Sequence, residues 1–381
     1  MRCGCPWGGH LHWSARGCAA PVDERKPTAV LNTSDAVRLA EVRDRTLSAL
    51  REAIGDARDV AVLDAPNQRN VGDSLIWQGE LAYLEMLGLR IRYVSDLNGF
   101  DAADLRRRLP RSGVVLLHGG GNFGDLWIGH QEHRETLAAE LADYRLVQLS
   151  QSIFFADEGR AAIANRVIGA HPDFTLLLRD GLSMERAATM LPDVRRAYCP
   201  DMALGYDAAF PAGGRTDADK VLVIARADRE SASGLRGIPQ DWLAPHRLHV
   251  TDWGQHRSDP LGWRLARTVL KLQRRLVAAR RRLPVKPPTL PQALVQRAVR
   301  LINESNVDSA VSLYSSARAV AVDRLHAHVL AMLLGLGHVM LDNNYRKLGA
   351  VFDDYTGVFS TANYATDLDE ARARLYEILE S

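Results

Sequence analysis

The stretch Val114-Val-Leu-Leu-His-Gly-Gly-Gly-Asn-Phe-Gly-Asp125 decides the reading of the fold. Four apolar residues bounded by glycine make a run of the length expected for a strand buried on both faces. The three glycines that follow serve no core purpose, because glycine costs roughly 0.5–1 kcal/mol in a regular element. They suit a strand end where bare backbone must approach a ligand; the plainer alternative is a tight turn. The spacing is not G-x-G-x-x-G and no Walker lysine follows, so a dinucleotide site or a P-loop is excluded.

Working outward, the same alternation repeats. Val60–Leu63, Ile91–Val94, Leu146–Leu149 and Phe174–Leu178 read as strands. Ser74–Leu87, Asp101–Leu109, His133–Leu141, Arg160–Ile168 and Leu182–Met190 read as helices between them. Strands alternating with helices predict a parallel sheet covered on both faces. Pro200, Pro211 and Gly213–Gly214 mark a boundary. A second set then runs through Lys220–Ala225, Leu248–Thr251, Ala319–Val322 and Val339–Leu341, with helices near 291–302 and 325–334. The expected class is α/β, with two doubly wound Rossmann-like domains facing across a cleft. We divide the chain into a disordered leader (1–34), an N-terminal domain (35–212), a C-terminal domain (213–365) with a basic helical insertion (260–300), and a last helix (366–381).

Composition agrees. The 381 residues are 46% hydrophobic, with 48 Lys or Arg against 46 Asp or Glu, which excludes a disordered or collagen-like chain. No apolar run reaches the ~18 residues that would span a membrane, so a cytoplasmic protein is expected. Cys3, Cys5 and Cys18 share the start of the chain with His10 and His12. Their spacing lacks the C-x2-C knuckle of a zinc site, so no metal is assigned; Cys199 reads as a small buried hydrophobe. Between Trp263 and Lys286 stand nine Lys or Arg and no acid. Leu265, Val269, Leu272 and Leu276 lie at helical spacing there. The segment reads either as a helix with that stripe against the core or as a peripheral contact with the inner membrane face. Nucleic acid is not expected, since aromatic residues are not interleaved.

Four motifs carry chemistry. In Asn67-Gln-Arg-Asn-Val-Gly-Asp-Ser74, a strand leads into a helix start, where Gly72 permits close approach and Asp73 or Ser74 can cap. In the glycine motif, Asn122 and Asp125 are placed to bind a hydroxylated substrate. Gln151-Ser-Ile153, Leu178-Arg-Asp180 and Cys199-Pro-Asp-Met202 put polar residues at further strand ends. In Ala319-Val-Ala-Val-Asp-Arg-Leu-His-Ala-His328, Asp323 is placed to cap a helix whose first turn carries Arg324 and His326. An arginine fork there can grip carboxylate or phosphate, and a histidine can move a proton at neutral pH. An interdomain ion pair is the alternative for both. Arg226 and Lys347 add positive charge at neighbouring strand ends. One domain thus offers cations to a small anion, and the other offers glycine, Asn and Asp to a polyhydroxylated acceptor.

Taken in order, Asn70-Val-Gly-Asp-Ser-Leu-Ile76, His118-Gly-Gly-Gly-Asn-Phe-Gly-Asp-Leu126, Gln151-Ser-Ile153, Arg179-Asp180, Cys199-Pro-Asp-Met-Ala203, Asp323-Arg-Leu-His-Ala-His328 and Leu341-Asp-Asn-Asn-Tyr-Arg-Lys347 resemble the polysaccharide pyruvyl transferase family. Arg346 departs from it, standing where glycine is common. The resemblance implies a GT-B-like fold and transfer of the enolpyruvyl part of phosphoenolpyruvate onto two hydroxyls of a sugar, free or lipid-linked, in exopolysaccharide or glycolipid biosynthesis. It implies no cofactor, and it puts Arg226, Arg324 and His326, joined by Lys347, on the donor. His326, Arg324 and Asp73 are the candidate catalytic residues. Asn70, Gly119, Gly120, Gly121, Asn122, Asp125 and Gln151 are the candidate acceptor-binding residues. A GT-B-type nucleotide-sugar glycosyltransferase is the rival enzyme, and a non-enzymatic membrane-associated partner of polysaccharide assembly is the third reading.

Overall fold

A computed structural model describes residues 31–210, 220–227, 232–252, 260–342 and 346–380. The cysteine-rich start, the glycine boundary at 213–214 and the Lys347 side chain lie outside the described residues. Helix α1 (Thr33–Ile54) begins within the last residues of the expected leader, with Asn32 capping it by accepting from Asp35 N.

The first half is a seven-stranded parallel sheet. Its strands are β1 (Asp59–Leu63), β2 (Arg90–Val94), β3 (Val114–Leu117), β4 (Gly120–Gly124), β5 (Arg145–Phe154), β6 (Phe174–Leu178) and β7 (Arg196–Tyr198), in the order β2-β1-β3-β5-β6-β7 with β4 also on β5. Helices α2 (Val71–Met86), α3 (Ala102–Arg108), α4 (Ile128–Glu140), α5 (Glu158–Gly169) and α6 (Gly181–Met190) connect them. The second half is a five-stranded parallel sheet: β8 (Lys220–Ile224), β9 (Arg247–Thr251), β10 (Ala319–Val322), β11 (His338–Leu341) and β12 (Ala362–Ala365), ordered β12-β11-β10-β8-β9. Its helices are α7 (Pro260–Arg282), α8 (Gln292–Tyr314), α9 (Leu325–Leu333), α10 (Lys347–Val351) and α11 (Leu368–Glu380).

Side-chain alternation explains how the sheets meet. Val60, Val62, Val114 and Leu116 of the first sheet enter the same apolar core as Leu222, Ile224, Val320 and Val322 of the second. Their neighbours Ala61, Leu63, Val115 and Leu117 fill a core on the far face of the first sheet. Val221, Val223, Ala319 and Ala321 do so for the second, under α11. Period-2 strands buried on both faces therefore build one shared core and two outer ones.

Strand β4 is not legible in the sequence, because glycines do not read as a strand. Two of them fit nonetheless: Gly120 and Gly124 have φ of 129° and 123°, and a β-carbon on Gly124 would lie 1.8 Å from the Phe154 carbonyl oxygen. Strand β4 continues the line of β3 along β5, so Gln151 lies inside β5 rather than beyond its end. Helix α8 outruns the expected 291–302 because its polar C-terminal half is buried against the first half. Asn303 donates to the Pro66 carbonyl and Asn306 to the Gln68 carbonyl. Helix α7 also leans on the first half, through Arg274 to Asp96 and Arg280 to Asp101. Its buried stripe is Ala266, Leu270 and Val277; Leu265 and Leu272, expected inward, are exposed. Arg346 has φ of 53°, the left-handed region that glycine favours.

Candidate active site

Two helix starts converge between the sheets. Helix α2 begins with Asn70 as its cap, whose Oδ1 accepts from Gly72 N at 3.0 Å. Neither Asp73 nor Ser74 caps it; Ser74 is buried and donates to Asn303. Helix α9 begins at Leu325 with Arg324 in the cap position, and Asp323 does not cap it either. The Asp323 carboxylate instead accepts from Arg226 N at 2.8 Å and Ser233 Oγ at 2.7 Å, tying the ends of β8 and β10 together. The two helix starts touch where Gly72 meets His326: a β-carbon on Gly72 would lie 2.9 Å from His326 Nδ1.

Around this contact lies a cavity of about 220 Å³. One wall carries Gln68 and Asn70 from the β1–α2 loop and Gly72 and Asp73 from the start of α2, with Gly121, Asn122, Trp127 and His130. The other carries Arg226, Arg324, Leu325 and His326. The glycine motif and the Arg–His helix start therefore share one crevice. The positive ends of the two helices favour an anion in it.

The cleft residues are held by defined partners. Asp73 accepts from Gln68 Nε2 at 3.0 Å and Asn70 Nδ2 at 2.8 Å. Arg324 grips Asp252 with two parallel bonds, Nε to Oδ1 and Nη2 to Oδ2, both 2.8 Å. His326 Nε2 lies 3.3 Å from Asp201 Oδ2, which also pairs with Arg179 Nη1 at 2.7 Å. Burial alone would raise the Asp201 carboxyl; the Arg179 and His326 charges outweigh it and hold Asp201 well below the usual carboxylate range. A carboxylate fixed at Nε2 leaves His326 Nδ1 on the side of Gly72.

On the opposite wall, His130 Nδ1 lies 2.8 Å from Oδ2 of Asp64, a residue behind it that takes φ of 61°, uncommon outside glycine. Burial pushes this carboxyl up, but the His130 bond brings it below its ordinary value. The pairing engages Nδ1 and leaves Nε2 directed away from Asp64. Behind the glycines, Glu80 accepts from Gly119 N and pairs with His118 Nδ1 at 2.9 Å. Burial lowers His118, yet Glu80 dominates and the ring is pushed up to about 8.

Several expected acceptor residues sit elsewhere. Asp125 accepts from Ala156 N and Asp157 N, both at 2.8 Å, and does not line the cavity. Gly119 and Gly120 are buried behind Gly121. Gln151 is fully buried and holds Asn122, accepting from its backbone N–H at 3.2 Å. His328 is buried against His338 and Thr356.

The model of the family described as polysaccharide pyruvyl transferase matches residues 70–345, which include every residue lining this cleft except Gln68. The chain belongs to the polysaccharide pyruvyl transferase family. Two relatives carry "pyruvyl transferase" in their names. EpsO of Bacillus subtilis (strain 168) is 26% identical over 321 residues, covering 83% of this chain and 91% of its own. Pyruvyl transferase 1 of Schizosaccharomyces pombe is 25% identical over 298 residues, covering 75% and 67%. A functionally uncharacterised protein of Klebsiella pneumoniae shares the fold at a TM-score of 0.52 and 15% identity, over 85% of this chain and 98% of its own. The protein is thus a transferase of pyruvyl groups to polysaccharide.

Sequence reading of this transferase did not find Asp64 and His130. An aspartate after a strand and a histidine inside a helix are both commonplace, and only the backbone turn at Asp64 brings them together. Arg179 and Asp201 were noticed as strand-end residues, but nothing local shows that they meet His326 from the other half.

Proposed function

We propose that this transferase moves the enolpyruvyl group of phosphoenolpyruvate onto two hydroxyls of one sugar in a cell-surface polysaccharide or glycolipid precursor, leaving a cyclic ketal and phosphate. The observation that carries the reading is the cleft itself, with Arg226, Arg324 and one helix start at one wall, and the second helix start with hydrogen-bonding groups at the other. Two parallel-sheet halves around a cleft also support a GT-B-like architecture.

Arg226, Arg324 and the helix starts suit the donor's carboxylate and phosphate. His326, protonated at Nδ1 and steadied by Asp201 at Nε2, delivers a proton to the methylene carbon. The cation that develops at C2 is attacked by the first sugar hydroxyl, whose proton passes to His130 Nε2. The C2–O bond to phosphate then breaks, and the second hydroxyl closes the ketal. Of the two hydroxyl protons, one balances the proton placed on the methylene and the other leaves with phosphate. Asp73, bonded by Gln68 and Asn70, orients the sugar. General acid–base help of this kind contributes typically 10²–10⁴-fold.

The test is incubation with phosphoenolpyruvate and a panel of free and lipid-linked glycosides, reading phosphate release and product mass. Arg324→Ala and His326→Ala are expected to abolish turnover while the chain stays folded. Full activity in both, or no pyruvylated product across the panel, overturns the reading. Phosphoenolpyruvate, and not uridine or guanosine diphosphate, is expected to raise the melting temperature.

A further inference from the structure

Helix α7 turns to solvent a surface that its own packing does not use. Its inner side is accounted for by buried Ala266, Leu270 and Val277, with Arg274 and Arg280 paired to Asp96 and Asp101. On its outer side Leu261 is 70% exposed, Leu265 69% and Leu272 47%. At about 100° per residue, Leu265 and Leu272 stand within roughly 40° of Leu261, so the three form one ridge. Arg264, Lys271, Arg275 and Arg282 fall along one flank of it, within roughly 80°. From Pro260 to Asn303 there is no Asp or Glu. Just past the helix end, Leu283 and Val285 are also exposed, beside Lys286.

We propose that this ridge docks the transferase on an anionic lipid bilayer, leucines entering the headgroup boundary and cations meeting lipid phosphates. An acidic protein partner would use the cations but leave the row of leucines unexplained; a bilayer uses both. The helix also touches the rim of the cleft. Arg267 donates to the backbone and side-chain oxygens of Asn67, and Arg69 lies 4.3 Å over the Trp263 ring. The loop held there leads directly into Gln68, Asn70 and Asp73. Docking by α7 therefore brings the cleft beside the membrane surface, which fits a lipid-linked saccharide as acceptor. That last step rests on the proposed function; the docking does not.

The experiment is co-sedimentation of the full chain with vesicles of phosphatidylcholine alone and of phosphatidylcholine mixed with phosphatidylglycerol. Binding to the anionic vesicles is expected to be at least about tenfold stronger and to weaken with added salt. Leu265→Gln with Leu272→Gln, both at exposed positions, is expected to lose about tenfold of it. Lys271→Gln with Arg275→Gln is expected to do likewise, and both pairs keep the melting shift produced by phosphoenolpyruvate. Equal binding to both vesicle types, or undiminished binding by the leucine pair, overturns the proposal. So does a dimer, seen by sedimentation equilibrium, that dissociates in the leucine pair while neither protein binds lipid. Vesicle binding without phosphate release from any glycoside would leave the docking standing and remove the function.

Discussion

Gly72 and His326 approach so closely across the cleft that there is no room for a β-carbon between them. Gly72→Ala adds helix propensity of about 1 kcal/mol but pushes the imidazole aside. A misplacement on the scale of 1 Å costs on the order of 10²-fold in rate. The variant is therefore expected to melt within a few degrees of the parent and to lose about that much kcat, measured by phosphate release.

The buried Arg179–Asp201 pair gives a second outcome. Asp201→Asn leaves the Arg179 guanidinium, itself fully buried, without its carboxylate. Breaking such a pair from one side typically costs 3–5 kcal/mol. Denaturant unfolding should show a loss of about that size, together with a fall in kcat because His326 loses its partner at Nε2.

For the second histidine, Asp64→Asn and His130→Ala separate orientation from chemistry. Asparagine tolerates the left-handed backbone at residue 64, so the chain should fold as before. His130→Ala is expected to reduce kcat by 10²–10⁴-fold, with the melting shift from phosphoenolpyruvate unchanged. Full activity in His130→Ala would remove this histidine as the general base.

The His118–Glu80 pair makes stability depend on pH. His118 is held at about 8 in the folded chain, above its ordinary value near 6.5. Its contribution is therefore complete below about pH 6.5 and is lost as pH rises through 8, a change of ~2 kcal/mol. Going from about pH 9 to pH 6, the parent should gain about that much more unfolding free energy than Glu80→Gln does. His338 acts on the other side. Burial brings it down to about 4, so its contribution is present above about pH 6.5 and is lost as pH falls toward 4.

Arg346 offers a stabilising change. At φ of 53° it carries a strain of roughly 1–2 kcal/mol that glycine avoids, and its ion pair with Asp353 is exposed. Arg346→Gly should gain about 1 kcal/mol, read as a rise in denaturant midpoint.

What the sequence revealed was governed by how local its cause is. Val114–Leu117, Phe174–Leu178 and Ala319–Val322 are apolar runs buried on both faces, and their bounds are those read from the pattern. The strand Gly120–Gly124 escaped because it exists through what glycine lacks, a side chain that would strike β5. The extension of α8 escaped because Asn303, Asn306 and Ser309 look like solvent-facing residues. They are in fact buried, the first two hydrogen-bonded to the first half. Arg324, His326, Gly121 and Asn122 could be picked out by type and place, and they do meet at one cleft. Asp125 could not be told from them, since only the fold shows that its carboxylate serves the amides of Ala156 and Asp157.

The imidazole of His326 grows from one sheet and takes its bearing from Asp201 on the other. Were the halves to swing apart to admit a bulky glycan, that pairing would be among the first to stretch. The proton donor would then be correctly aimed only once the jaws had shut again. Under the proposed reaction, a gaping enzyme would hold its reactive enol ester without igniting it, and water, the most abundant rival nucleophile, would find the chemistry idle.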